Sequence, residues 1–175
     1  MSLYYEAKLQ FINHFKTKMG ENNVIYKILN RLTYLVNEIP IRINEFSESE
    51  MNNKPAPNKW SKKEILGHLI DSASNNHHRF VRVQFESQPF TIIEYKQNQW
   101  VSSQDYHNSP VENLINLWQS YNKHLIHVIS KIPQEKLGYI CNVDNEKQVS
   151  LLWLIEDYLS HMEHHLKQIF GSKLF

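Results

Sequence analysis

The sequence predicts an all-α protein: a four-helix bundle carrying an additional N-terminal helix. Three observations lead there. Four long stretches space their apolar residues at intervals of three and four, the period of an amphipathic helix. Only four glycines occur in 175 residues, too few for strands joined by many tight turns. One long connection lies in the middle of the helical stretches, a layout that four-helix bundles use.

The elements follow in chain order. Residues 1–22 read as an extension, with a helix from Leu3 to Met19 that breaks at Gly20–Asn23, and residues 23–175 read as the bundle domain. From Val24, apolar side chains recur at Ile25, Ile28, Leu29, Leu32, Leu35, Val36 and Ile39. Pro40 should kink or end this helix, although Ile41, Ile43 and Phe46 continue its spacing. The run NKPAPNKW, Asn53 to Trp60, is a loop by its two prolines. Ser61-Lys62-Lys63-Glu64 then has the form of a capping box. The helix it opens carries Ile65, Leu66, Leu69, Ile70, Ala73, Phe80 and Val83 and runs to about Glu86. The connection from Ser87 to Pro110 is long enough to imply a function or a crossover. Ser109-Pro110-Val111-Glu112 reads as the next start, with proline at the first helical position. Leu114, Leu117, Trp118, Tyr121, Leu125, Val128 and Ile132 form the third long stripe, and Pro133 stops it. Residues 134–149 are polar and irregular. Ser150 caps the last helix, and Gly171 sits where a C-terminal glycine belongs.

Bulk composition narrows the function. A formal net charge of +1 suggests neither nucleic acid nor an acidic membrane surface as partner. Cys141 is the single cysteine, so no intrachain disulfide can form, and a reducing, cytoplasmic setting is expected. No apolar run approaches the roughly 18 residues of a membrane span, and the N-terminus lacks a basic-then-apolar signal pattern. The phosphate-binding and nucleophile motifs GxGxxG, GxxxxGK[ST], CxxC and GxSxG are all missing. Histidine is the unusual residue, at ten of 175.

Three histidines fall close together in SHMEHHLKQIFG, Ser160 to Gly171. At about 100° per residue, Leu151, Ile155, Tyr158, Met162, Leu166 and Ile169 define the buried stripe of the last helix. His165 falls inside that stripe, and His161 lies at its edge, about 40° from His165. His164 points away, near Asp157. His161 and His165 are therefore neighbours on one wall of the interior, at a spacing that lets two imidazoles converge on one ion. The glutamate of an H-E-x-x-H motif is not in its place, so zincin-type proteolysis is not supported. Inward histidines also serve as hydrogen-bonded core residues, and the pair alone does not choose between the two readings. A third ligand is needed. His68 is the best candidate, at the edge of the second long helix's stripe beside Ile65 and Ser72. His77, nearer the middle of that stripe, competes with it. His14, His78, His107 and His127 read as solvated, and His124 fits either side.

The run KPAPNKWSKKEILGHLIDS, followed far downstream by YLSHMEHHLKQI, resembles the DinB/YfiT-like superfamily over roughly Val24 to Gly171. The resemblance implies a bundle of up-down-down-up connectivity and one divalent metal ion held by His68, His161 and His165. It also implies an enzyme. Members are labelled metal-dependent hydrolases, and relatives include thiol transferases that use bacillithiol, glutathione or mycothiol, and a mycothiol-dependent maleylpyruvate isomerase. Homodimers are frequent among similar proteins. Within the motif, Trp60 leads into the helix and Glu64 caps it. Asp71, one turn from His68, and Asp157, four residues before His161, each either orient an imidazole or sit in solvent. A three-imidazole set with an open position suits Zn²⁺, Ni²⁺ or Fe²⁺ and does not choose among them. The leading expectation is a metal-dependent enzyme that transfers a low-molecular-weight thiol to an electrophile, or hydrolyses a small substrate. The competing class is a non-enzymatic bundle that binds a metal, a small ligand or a partner protein. Cys141 has no motif around it and offers no alternative nucleophile.

Overall fold

A computed structural model describes residues 24–143 and 147–171. The N-terminal helix expected from Leu3 to Met19 lies outside the described residues. The four long helices are α1 (Val24–Ile43), α3 (Lys62–Arg82), α5 (Val111–Ser130) and α6 (Leu151–Phe170). Between them lie two short helices, α2 (Glu48–Asn52) and α4 (Gln97–Ser103), and 3₁₀ turns at Tyr106–Asn108 and Gln134–Gly138. Three very short strands, β1 (Phe90–Thr91), β2 (Ile140–Asn142) and β3 (Gln148–Ser150), form one small sheet.

The apolar stripes read from the sequence are the buried faces of α1, α3 and α6; in α5 the buried face is turned toward Ile115, Asn122, Ile126 and Ile129, and Leu117 is 48% exposed. Ile25, Ile28, Leu29, Leu32, Leu35, Val36 and Ile39 of α1 meet Leu114, Trp118 and Leu125 of α5 and the predicted stripe of α6 in one core. Burying each large apolar side chain is worth about 1.5–3 kcal/mol, against about 1 kcal/mol for a good N-cap. Packing therefore holds the bundle, and the caps fix where its helices begin. The Ser61–Glu64 box is formed as predicted, and Ser150 accepts from the Trp153 amide at 3.1 Å. Gly171 ends α6 at φ 66°, a left-handed value that favours glycine.

One alternative is excluded at Pro40: it does not end α1, which runs through it to Ile43, as the continued spacing of Ile41 and Ile43 suggested. Proline has no N–H for the carbonyl four residues back. That carbonyl, of Val36, instead accepts from Gln119 Nε2 of α5 at 3.0 Å. The expected Ser109 cap is absent: α5 starts at Val111, and the Ser109 hydroxyl turns back to the Asp105 carbonyl at 3.4 Å.

Named contacts give the helix directions. Lys62, at the start of α3, donates to the carbonyl of Ile169 at the end of α6, and Ser72 further along α3 meets His161 further back in α6. These two helices are antiparallel. Arg31 pairs with Glu163 and Arg42 lies over the Phe170 ring, so α1 and α6 run in parallel. Gly67 meets Tyr106 just before α5 begins, and His77 meets Tyr121 within it, so α3 and α5 run in parallel. The bundle is thus up-down-down-up, and the segment from 83 to 110 is the crossover that a parallel pair requires. Lys63 ties that crossover down. It is 2% exposed, and its ammonium donates to the Glu48 carboxylate and, at 3.2 Å, to the His107 carbonyl. The sheet links the crossover to the segment before α6: β1 pairs with β2 in parallel, and β2 pairs with β3 antiparallel, Cys141 facing Phe90 and Val149.

Candidate metal centre

α3 is buried on nearly every side from Lys63 to Ala73, because α5, α6 and the crossover all pack on it. His68 consequently has no exposed surface at all, deeper than the edge position expected from its stripe. The antiparallel α6 brings His161 and His165 to the same level. The three rings converge, with centroids 5.1 Å apart for His68–His161, 4.6 Å for His68–His165 and 4.5 Å for His161–His165. One ligating atom from each lies within 4.8 Å of the others. His77, the competing candidate, goes elsewhere: its Nδ1 meets the Tyr121 hydroxyl at 3.1 Å and its ring packs on His124, on the α5 side. His164 is exposed, as its phase predicted, and its Nε2 meets Gln168.

Hydrogen bonds orient the rings. His165 Nδ1 lies 2.9 Å from Gln168 Oε1, an acceptor, so Nδ1 carries the proton and Nε2 keeps its lone pair. His161 Nδ1 lies 3.3 Å from the Ser72 hydroxyl, leaving Nε2 to face His68 Nε2 at 3.2 Å. Two nitrogens bound to one tetrahedral ion at about 2.0–2.1 Å would stand about 3.3 Å apart, so this pair fits a shared divalent cation. Among the described residues His68 Nδ1 is buried without a hydrogen-bond partner. Trp60 covers that ring, with centroids 4.8 Å apart, and Tyr95 of the crossover lies at 6.5 Å.

Protonation favours the same chemistry. Burial, then the neighbouring His165 and His161, push His68 down to about 3. Burial, then His165, hold His161 at about 4. Burial also lowers His165, against the opposing hydrogen bond to Gln168. All three imidazoles are therefore neutral near pH 7, with lone pairs available to a metal.

Neither carboxylate considered for orienting an imidazole bonds one, and Asp157 takes the solvent-exposed alternative. Asp71 Oδ1 accepts from the Tyr106 hydroxyl at 2.6 Å and from Gln104 Nε2 at 2.5 Å, anchoring the crossover rather than His68. Burial raises the Asp71 carboxyl above its ordinary value, against those two hydrogen bonds. Asp157 is exposed, and Ser72 stands at His161 Nδ1 in the position imagined for it. The sequence reading missed Ser72 and Gln168 as ring orienters. Gln168 had a usable signal, three residues after His165 on the same helix face. Ser72 reaches His161 only across the helix pair.

Two cavities border the triad, and they share no lining residue. The larger, about 730 Å³, reaches His165 and Gln168 and is walled by Trp60, Lys59 and Lys62. The smaller, about 260 Å³, reaches His161 and Ser72 and holds Arg79, Tyr95 and Asp157. Cys141 is not at either: it is fully buried in β2, and burial pushes its thiol up to about 11. It is thus an un-ionised core residue.

A sequence profile of the DinB superfamily matches residues 31–169. A protein of Bacillus mycoides (strain KBAB4) named "putative metal-dependent hydrolase" is 23% identical over 146 residues, 83% of each chain. One of the same name from Bacillus cereus (strain AH820) is 24% identical over 135 residues, 77% of each chain. Among solved structures, YfiT from Bacillus subtilis, described as "a probable metal-dependent hydrolase with an unusual four-helix bundle topology", superposes with a TM-score of 0.76 at 17% identity, covering 87% of each chain. That likeness is one of fold.

Proposed function

The chain belongs to the DinB superfamily, and from that premise we propose that it is a metal-dependent enzyme whose single divalent ion is held by His68, His161 and His165. The observation that carries this reading is the convergence of three neutral imidazoles, with His68 Nε2 and His161 Nε2 at 3.2 Å. A bound Zn²⁺, Ni²⁺ or Fe²⁺ would supply a Lewis acid and would lower the pKa of a water or thiol at its remaining position. The protein's own residues do the rest. Gln168 and Ser72 hold the rings of His165 and His161. Trp60 covers His68 and restricts water on that side. Tyr95, pushed up to about 12 by burial and then by the Asp71 charge, remains a phenol that can donate a hydrogen bond into the smaller cavity.

Within this reading, thiol transfer is preferred to hydrolysis. Hydrolysis needs room for one organic substrate, whereas two separate cavities border the triad here. That arrangement suits a low-molecular-weight thiol on one side and an electrophile on the other. The test supplies the metal-loaded protein with a haloarene and a panel of small thiols, and separately with carboxylic esters. The expected result is haloarene consumption only when a thiol is present, abolished by His68→Ala. Thiol-independent ester hydrolysis that His68→Ala abolishes would replace transfer with hydrolysis. Neither activity in a chain that carries metal would favour a binding protein.

A further inference from the structure

We infer that the smaller cavity is a carboxylate-binding subsite anchored by Arg79. Its part in catalysis rests on the proposed enzyme reading; the binding itself does not.

Arg79 lies on α3, three turns beyond His68. The residue is half-buried and lines the cavity that also holds Ser72 and His161, as well as a neighbouring one of about 310 Å³ bordered by Ile93 and Trp100. A guanidinium carries five N–H donors. Arg79 spends two of them on neutral oxygens at long distances, Nη1 on Asn76 Oδ1 at 3.4 Å and Nη2 on the Ile93 carbonyl at 3.3 Å. Among the described residues it forms no ion pair, whereas Arg31 and Arg82 each hold a glutamate. Asp157 and Glu94 act on its charge only from beyond ion-pair distance, and the remaining donors have the fork geometry that receives two oxygens of one planar anion.

The surroundings select among anions. Glu94 and Asp157 border the same cavity, both exposed and neither paired with Arg79. Their charges oppose a doubly charged phosphate more strongly than a singly charged carboxylate. The volume, about 260 Å³, suits a small organic acid and excludes a folded or polymeric ligand. A carboxylate held at Arg79 would direct the rest of its molecule along the cavity toward His161.

Nuclear magnetic resonance of the full chain tests this through the Arg79 Nε–Hε signal, with 3-phenylpropionate as probe and 3-phenylpropionamide as its neutral match. Samples are used as purified and after chelation, so that direct coordination of the probe by a metal can be separated from binding at Arg79. The expected result is a saturable shift with the acid in both samples, no shift with the amide, and binding at least about tenfold weaker in Arg79→Gln. The same shift in His68→Ala shows that the subsite does not depend on the triad. A shift seen only before chelation, equal binding of the amide, tighter binding of inorganic phosphate, or full affinity in Arg79→Gln would each overturn the subsite. The wild-type comparison of acid and amide decides the matter even if Arg79→Gln fails to fold. A chain that binds the acid as predicted yet takes up no metal would overturn the enzyme reading and leave the subsite standing.

Discussion

His68 Nε2 and His161 Nε2 face each other at 3.2 Å across α3 and α6. Two imidazole nitrogens at that distance share either a proton or an ion. The proton alternative involves two residues only, yet His165 brings a third lone pair to the same point and has its other nitrogen occupied by Gln168. The ion alternative uses all three, and it is the one from which the following expectations are drawn.

The ring orienters should matter more than the nearby carboxylate. Loss of a group that orients a metal-binding imidazole commonly weakens metal affinity ten- to a hundredfold. Gln168→Ala and Ser72→Ala should each show a loss on that order in competition with a chelator, while Asp157→Asn should change affinity little. Equal weakening in all three variants would mean that charge around the site, rather than ring orientation, sets affinity.

Gly67 makes room for the crossover. A Cβ built there would stand 2.1 Å from the Tyr106 ring, which must keep its place for its hydroxyl to reach Asp71. Overpacking of this kind costs about 1–3 kcal/mol and sometimes more. Gly67→Ala should lower the urea midpoint accordingly, and Tyr106→Leu in that background should recover part of the loss. A neutral Gly67→Ala would mean that Tyr106 moves aside freely and the crossover is not anchored there.

Acid should weaken the metal-free protein through the same histidines. The folded chain holds His68 near 3 and His161 near 4, against about 6.5 when unfolded. Between those values the unfolded state binds more protons than the folded one, so stability is full above about pH 6.5 and falls as pH drops toward 4. Urea titrations of metal-free protein should show that decline, and His68→Phe should flatten it. A stability independent of pH across that window would show that the rings are not kept neutral by burial.

The bundle was legible because four long stripes repeat every three or four residues, and burial follows those stripes closely in α1 and α6, whereas the buried face of α5 is turned away from the predicted Leu117. Helix phase also separated His161 and His165 from His164. The choice between His68 and His77 was harder, because α3 is covered on most sides and a stripe does not say which neighbour a residue faces. The motif resemblance favoured His68, and the antiparallel packing of α3 on α6 is the physical reason that it meets the pair. The small sheet left no signal: strands of two and three residues carry no period to detect. Whether Pro40 ends α1 was not legible locally, because its cost there is offset by Gln119, on another helix. Ser72 was invisible as a partner of His161 because only tertiary structure joins them.

Metal content tests the central claim most directly. Protein purified without added metal or an affinity tag, then analysed for elements, should carry about one divalent ion per chain. His68→Ala, His161→Ala and His165→Ala should each lose nearly all of it, while His164→Ala, altered on the exposed face of the same helix, should keep it. Retention of metal by His68→Ala and His161→Ala, or equal loss in His164→Ala, would contradict the assignment.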